Sequence, residues 1–362
     1  MNSYEAKELK VVTADPQLTQ ARFSVCGRML LGASYDGRVR RWDASGADLP
    51  ESAAIEGHGG WVTAIATTTH GELLFSGDSW GQLRCTPYIG EKPASKWSVA
   101  QAHDGWLRDV AVSPDGTRIA TSGMDKRVRV WSAADGSKQA DFAIGERPAF
   151  APRNGCNDGD VSRVQFTPDG NHLLLADLKG GVHLWDLAAG KSVRKFDAGS
   201  LFKLDRLQDV GGVRCLAVDK EQKLLAVGGT TPKNGGTVVG PPTLLVFDYA
   251  SGELKYTLQY GDTNDCWVSD VAFHADGFVM VVCCGTPGSG KLAFQRLDEK
   301  EPMFTSKKMI NCQSLAAHPD GKRLAVVATN AGSNGNGRPL NKMGEYEGNK
   351  SPIFVMEVNA KA

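Results

Sequence analysis

The chain has 362 residues, and its 41 Lys and Arg are matched by 41 Asp and Glu. That balance leaves no global field to steer nucleic acid or an anionic membrane, and no apolar run reaches the ~18–20 residues of a membrane span. The first residues, MNSYEAKELK, lack the apolar core of a secretory signal, and the 8 cysteines fall mostly inside predicted strands, so a reduced, cytoplasmic protein is expected.

In chain order, Glu5–Thr13 alternates polar and apolar residues and reads as a strand. A unit of about 45 residues then recurs, with four short strands each, which is the pattern of a β-propeller. Two marks locate each unit. The first is the turn after the innermost strand, at Cys26-Gly27, His70-Gly71, Asp115-Gly116, Asp169-Gly170, Asp276-Gly277 and Asp320-Gly321, with Lys220–Lys223 in the same place without glycine. The second is the end of the third strand, at Trp42, Cys85, Trp131, Trp185, Phe247, Leu297 and Met356.

Seven marks predict an all-β fold: a single seven-bladed propeller over residues 1–362, built of four-stranded antiparallel blades with almost no helix. Inner strands should begin near residues 18, 61, 106, 161, 213, 267 and 312. Glu5–Thr13 should close the ring as the outer strand of blade 7, beside Ile353–Val358.

The intervals between marks lengthen after Trp131 because of four segments, Gly145–Asp160, Gly199–Gly212, Thr230–Thr243 and Thr329–Ser351. Two join an outer strand to the next inner strand, and two join the second and third strands of a blade. In an up-and-down blade both connection types leave on one face, where long loops carry binding function. Candidate anchors there are Arg147, Phe150, Arg153, Phe202, Arg206, Arg338 and Tyr346. Trp61, Trp106 and Trp267 each precede an inner strand and belong to the same candidate surface.

Other motifs carry less. Gly285–Lys291 matches G-x-x-x-x-G-K, but Leu292 replaces the Mg²⁺-binding hydroxyl and an alternating strand follows instead of a helix. It reads as a hairpin exposing Lys291. No His or Cys pair has zinc spacing, and the acidic run Asn157–Asp160 reads as a solvated loop, since Ca²⁺ needs six to eight oxygens.

Residues Ala102–Ser132, AHDGWLRDVAVSPDGTRIATSGMDKRVRVWS, resemble the WD40-repeat family, with divergent, bacterial-type repeats elsewhere in the chain. The resemblance implies a structural hydrogen-bond tetrad, assigned by spacing to His103, Ser122, Asp125 and Trp131. A catalytic use of that set would require an open pocket, whereas the tetrad lies between strands. The family is mostly interaction modules, so the resemblance implies a non-catalytic scaffold for protein or peptide partners. No cofactor, metal, membrane or nucleic acid is expected, and the chain should be monomeric on its own. The alternative is a propeller hydrolase or lactonase using a metal at the central opening, which Asp109 and Asp270 could approach, although no His accompanies them.

Overall fold

A computed structural model describes residues 2–46, 48–68, 72–144, 161–205, 208–233, 240–262, 265–285, 289–330, 343 and 348–361. Among these, seven four-stranded antiparallel sheets follow one another along the chain and form the blades of a propeller. The inner strands are Leu18–Phe23, Val62–Thr67, Leu107–Val112, Val161–Phe166, Cys215–Val218, Asp265–His274 and Ser314–Ala317. The one helical element among the described residues is a single 3-10 turn, Gly199–Leu201.

Local chemistry sets the hairpins. After the inner strand of blade 3, Gly116 takes φ 72 while the Asp115 carboxylate accepts from the Ser113 hydroxyl and the Thr117 amide. Those hydrogen bonds hold the Asp115 pKa down to about 2. In blade 5, which has no glycine there, Gln222 occupies the left-handed region at φ 54. Side chains alternate across each strand, so both faces of every blade are apolar and pack on the neighbouring blades. The packing unit is therefore the gap between blades. Leu18, Leu30 and Trp42 of blade 1 share one core with Val327, Ile353 and Val355 of blade 7.

The ring closes as expected. Tyr4–Ala14 pairs antiparallel with Ser351–Ala360, from Tyr4 opposite Ala360 to Ala14 opposite Ser351, and supplies the outer strand of blade 7.

Two third-strand marks shift. By register, the position of Trp131, opposite Ile119, is held by Thr86 in blade 2 and by Gln295 in blade 6, in place of Cys85 and Leu297. Neither blade has an aromatic residue there to mark the place. The segment Gly199–Gly212 also differs from a plain loop. It folds into a small hairpin, Phe202–Asp205 against Gln208–Gly211.

Candidate functional site

Blade 3 holds a buried polar network. Trp131 Nε1 donates to Thr121 Oγ1 at 2.9 Å, and Thr121 Oγ1 lies 2.7 Å from His103 Nε2. With one lone-pair side of the threonine taken, its proton goes to Nε2, leaving Nδ1–H to donate to Asp125 Oδ1 at 2.9 Å. Arg129 donates to the other carboxylate oxygen at 2.7 Å.

Burial lowers the His103 pKa and favours the neutral ring, despite Asp125. Burial opposes the Asp125 charge, but hydrogen bonds from His103 and Arg129 outweigh it and hold that carboxyl well below the usual range. The tetrad is thus His103, Thr121, Asp125 and Trp131. Ser122 is a correction: its Oγ is buried without a partner. Adjacent strand residues face opposite sides, so a one-residue slip exchanges the two hydroxyls.

Blade 2 holds a reduced version, with His58 bonded to Asp78 at 3.0 Å and to Ser76 at 2.7 Å. Every member of both sets lies between strands rather than at an open surface.

The inner strands surround a channel cavity of about 320 Å³ lined by Gln20, Arg22, Asp109, Arg163, Cys215 and Asp270, among others. Its carboxylates are latches between blades. Asp109 Oδ2 accepts from the Val164 amide of blade 4 at 3.1 Å, and Asp270 Oδ2 accepts from the Leu315 amide of blade 7 at 3.0 Å. Gln20 and Ser314 serve the same position for Ile65 and Ala21. Where the preceding blade offers Ala64 or Cys215, the aspartate turns its other oxygen to the next amide of its own strand, Val110 or Val271. Both aspartates are therefore engaged by amides, a poor starting point for the hydrolase reading.

Lys291 is a second correction. It sits in the strand Gly290–Gln295, is 9% exposed, and donates to Asp265 Oδ2 at 2.8 Å and to the Tyr260 carbonyl at 2.6 Å. A strand residue whose ammonium is already engaged does not form a phosphate cradle at a helix N-terminus. Lys291→Ala is expected to cost about 2–4 kcal/mol by stranding a mostly buried carboxylate, measured by urea unfolding. A loss below ~0.5 kcal/mol, the surface value, would contradict the buried pair.

The remaining feature is aromatic. Tyr35, Trp61 and Trp106 form a row across blades 1, 2 and 3, with ring centroids 4.8 and 5.5 Å apart and edge-on geometry. Trp61 is 44% exposed, and Trp80 beside it is 70% exposed. Trp80 lies on the backbone of Gly59 and Gly60: a Cβ at Gly59 would meet its ring at 2.8 Å. Met124, in the equivalent turn of blade 3, is also exposed.

Tyr35, Trp80 and Met124 lie in turns between second and third strands, whereas Trp61 and Trp106 precede inner strands. The contacts among them verify that both connection types emerge on one face. The Ser79 and Met124 amides, which donate to the Trp61 and Trp106 carbonyls, tie the two connection types together. Exposed Leu204, in the hairpin that precedes the inner strand of blade 5, belongs to the same connection type.

Of the anchors read from sequence, Trp61 and Trp106 come together. Trp267 lies in blade 6, apart from them, under the guanidinium of Arg214 at 4.8 Å, and Arg108 covers Trp106 at 5.0 Å. Phe202 is half-buried in the small hairpin. Arg147, Phe150, Arg153, Arg206, Arg338 and Tyr346 lie outside the described residues, as does Asn157–Asp160. Trp80 was missed; its signal was a large aromatic in a Gly-Asp-Ser-Trp-Gly turn, where no packing period calls for one. Among the described residues no group of His, Cys, Asp and Glu has a metal-holding arrangement, and no helix is long and apolar enough to cross a membrane.

Residues 7–43, 51–85 and 96–132 match the WD domain, G-beta repeat family. Similar curated proteins include a Periodic tryptophan protein 2 homolog from Dictyostelium discoideum, 26% identical over 57% of this chain and 20% of that protein. A Ribosome biogenesis protein WDR12 homolog from Drosophila erecta is 28% identical over 50% of this chain and 46% of its own length. WD repeat-containing protein 1 from Mus musculus is 27% identical over 49% of this chain and 27% of that protein. The chain thus spans less than half the length of these relatives.

Each matched segment starts in or just before the outer strand of one blade and ends in the third strand of the next. The sequence repeat is offset from the structural blade, so closing the ring requires the first strand to pair with the last. That offset is realised here by Tyr4–Ala14 in blade 7, and the chain is a WD40-repeat β-propeller.

Proposed function

We propose that this propeller is a non-catalytic scaffold that holds a protein or peptide on the face bearing Tyr35, Trp61, Trp80 and Trp106. The observation that carries the reading is the exposure of Trp61 and Trp80 on one face, Trp80 lying on the Gly59–Gly60 backbone that leads into Trp61. Solvent exposure of two large rings costs free energy that a partner recovers, and buried aromatics are typical interface anchors. Trp267 and Phe202 extend the proposed surface. The proposal also takes in Arg147, Phe150, Arg153, Arg206, Arg338 and Tyr346, anchors read from the sequence that lie outside the described residues.

The balanced charge favours a protein partner over nucleic acid. The relative named for ribosome biogenesis is consistent with work inside a multiprotein assembly. The cysteines among the described residues are free thiols, which supports a reducing compartment, in the simplest case the cytoplasm.

The test is affinity capture from source-cell lysate with the full chain. The double variant Trp61→Ala, Trp80→Ala should lose captured partners, since each anchor is worth about 2–4 kcal/mol of binding, with little change in melting temperature. Lys138→Ala and Lys191→Ala, at the short connections on the opposite face, should keep them. Capture that survives the tryptophan changes and fails with the lysine changes would move the working surface to the other side.

A further inference from the structure

In four blades the inner-strand residue just before the position of Gln20, Ala64, Arg163 or Asp270 is a hydroxyl latch to the next blade. Thr19 donates to the Val62 carbonyl at 2.8 Å and Ser162 to the Val213 carbonyl at 3.0 Å, while Thr63 and Ser269 do the same for Leu107 and Cys312. Blades 3 and 5 place Arg108 and Arg214 at this position instead. In blade 5 only a weak thiol contact, Cys215 Sγ to the Val268 carbonyl at 3.8 Å, stands in for the latch. Arg163, one residue further along in blade 4, lies between them in sequence order and lines the channel cavity. Blades 3, 4 and 5 thus carry an arginine at or next to this position; Arg163 lines the cavity, the Ser162–Val213 latch sets Arg163 and Arg214 on adjoining stretches of neighbouring strands, and blade 5 has the weaker tie to its own neighbour.

Two of these groups make few direct hydrogen bonds, although the Asp109 carboxylate lines the same cavity as Arg163 and lies within electrostatic reach of it. Among the described residues neither Arg163 nor Arg214 makes an ion pair. Arg163 donates to its neighbour's carbonyl, Ser162, at 2.8 Å, and Arg214 reaches the Gly211 carbonyl only at 3.5 Å. Arg214 Nε is buried without a partner. Stacking on Trp267 holds the Arg214 side chain in place, so little ordering remains for a ligand to impose. Arg22, by contrast, is neutralised by Asp270 at 3.1 Å. Burial, together with the charges of Arg163 and Arg108, lowers the Arg214 pKa to about 10, and an arriving anion would relieve that repulsion.

We propose that Arg163 and Arg214 form a receptor for an oxyanion, a carboxylate or phosphoryl group, carried by a side chain of the peptide docked on the aromatic rim. Guanidinium forks match the planar geometry of such groups, and the adjacent cavity admits one acidic side chain. This assignment rests on the scaffold reading and adds the chemistry of the partner.

The test is panning of the full-length protein against two random dodecapeptide libraries, one unmodified and one with a central phosphoserine. Enriched peptides should carry Asp or Glu in the first library, or depend on the phosphate in the second, which separates the two sources of the oxyanion. Their affinity should fall about tenfold or more in Arg163→Gln, Arg214→Gln, a size expected for truncating a desolvated charge contact, while Arg163→Lys, Arg214→Lys retains part of it and melting temperatures stay close. Enrichment without acidic preference, no enrichment in either library, or binding that survives the glutamine pair overturns the assignment. If such neutral peptides still depend on Trp61 and Trp80, the scaffold reading stands and only the oxyanion receptor falls. Acidic peptides that need the arginines yet ignore both tryptophans leave the receptor standing and remove the aromatic rim from the reading.

Discussion

Removal of residues 1–14 is expected to lower the melting temperature by roughly 10 °C or more and to drive the protein into aggregates. The strand Tyr4–Ala14 joins three blades at once. It pairs with Ser351–Ala360 along its length. Its Tyr4 ring packs 4.9 Å from Phe278 and 5.5 Å from His274 of blade 6, and Tyr4 Oη donates to Asp276 at 2.6 Å. At its other end Val12 and Ala14 pack into the core shared by blades 7 and 1.

Each apolar side chain returned to water costs about 1–3 kcal/mol, so losing several together exceeds any surface truncation. The uncovered edge of Ser351–Ala360 then offers a row of unpaired amides and carbonyls to a second molecule. Differential scanning fluorimetry with light scattering reads both effects. Melting within a degree or two of the intact chain, without scattering, would mean that the ring closes by another route.

The second large effect separates two adjacent hydroxyls. Thr121→Val should cost about 2–4 kcal/mol, because it leaves His103 Nε2 and Trp131 Nε1 unpaired in a buried site. Ser122→Ala should cost less than ~1 kcal/mol, since that hydroxyl has no partner to lose. The same network predicts the acid limb of stability. The folded pKa of His103 lies below its unfolded value, so its contribution is present above about pH 6.5 and declines as pH falls below it. Asp125 is likewise depressed, so its share is intact above about pH 4 and is lost on further acidification. Urea midpoints of the intact chain should therefore fall in two stages from pH 7 to 3, with the lower stage reduced in Asp125→Asn. Equal costs for Thr121→Val and Ser122→Ala would contradict the hydrogen-bond assignment.

How much of this was legible follows from which residues mark their own place. Trp or Phe at the end of the third strand marks blades 1, 3, 4 and 5, and Asp-Gly turns reinforce the mark in blades 3 and 4, because each has a conformational or packing role that few other residues fill. Thr86 and Gln295 hold the equivalent place without that mark, and the register there slipped by one and two residues. Thr121 and Ser122 are both hydroxyls, so composition does not separate them; only the strand face does. Lys291 illustrates the reverse error, in which a spacing that matches a phosphate loop is supplied by a strand whose lysine serves Asp265. The row of Tyr35, Trp61 and Trp106, and the adjacency of Arg163 and Arg214 across the Ser162–Val213 latch, involve residues about 25–55 positions apart in sequence. Their proximity is a property of the closed ring, and no local window of sequence contains it.

Partners are expected to dock on the aromatic face, and site-specific photo-crosslinking in source cells reads this directly. A photoreactive residue replaces Met124, exposed on the aromatic face beside the anchors, in one variant and Ala189, exposed in a short turn on the opposite face, in another. Discrete cross-linked partners are expected from position 124 and none from position 189. Discrete adducts from position 189 alone would contradict docking on the aromatic face.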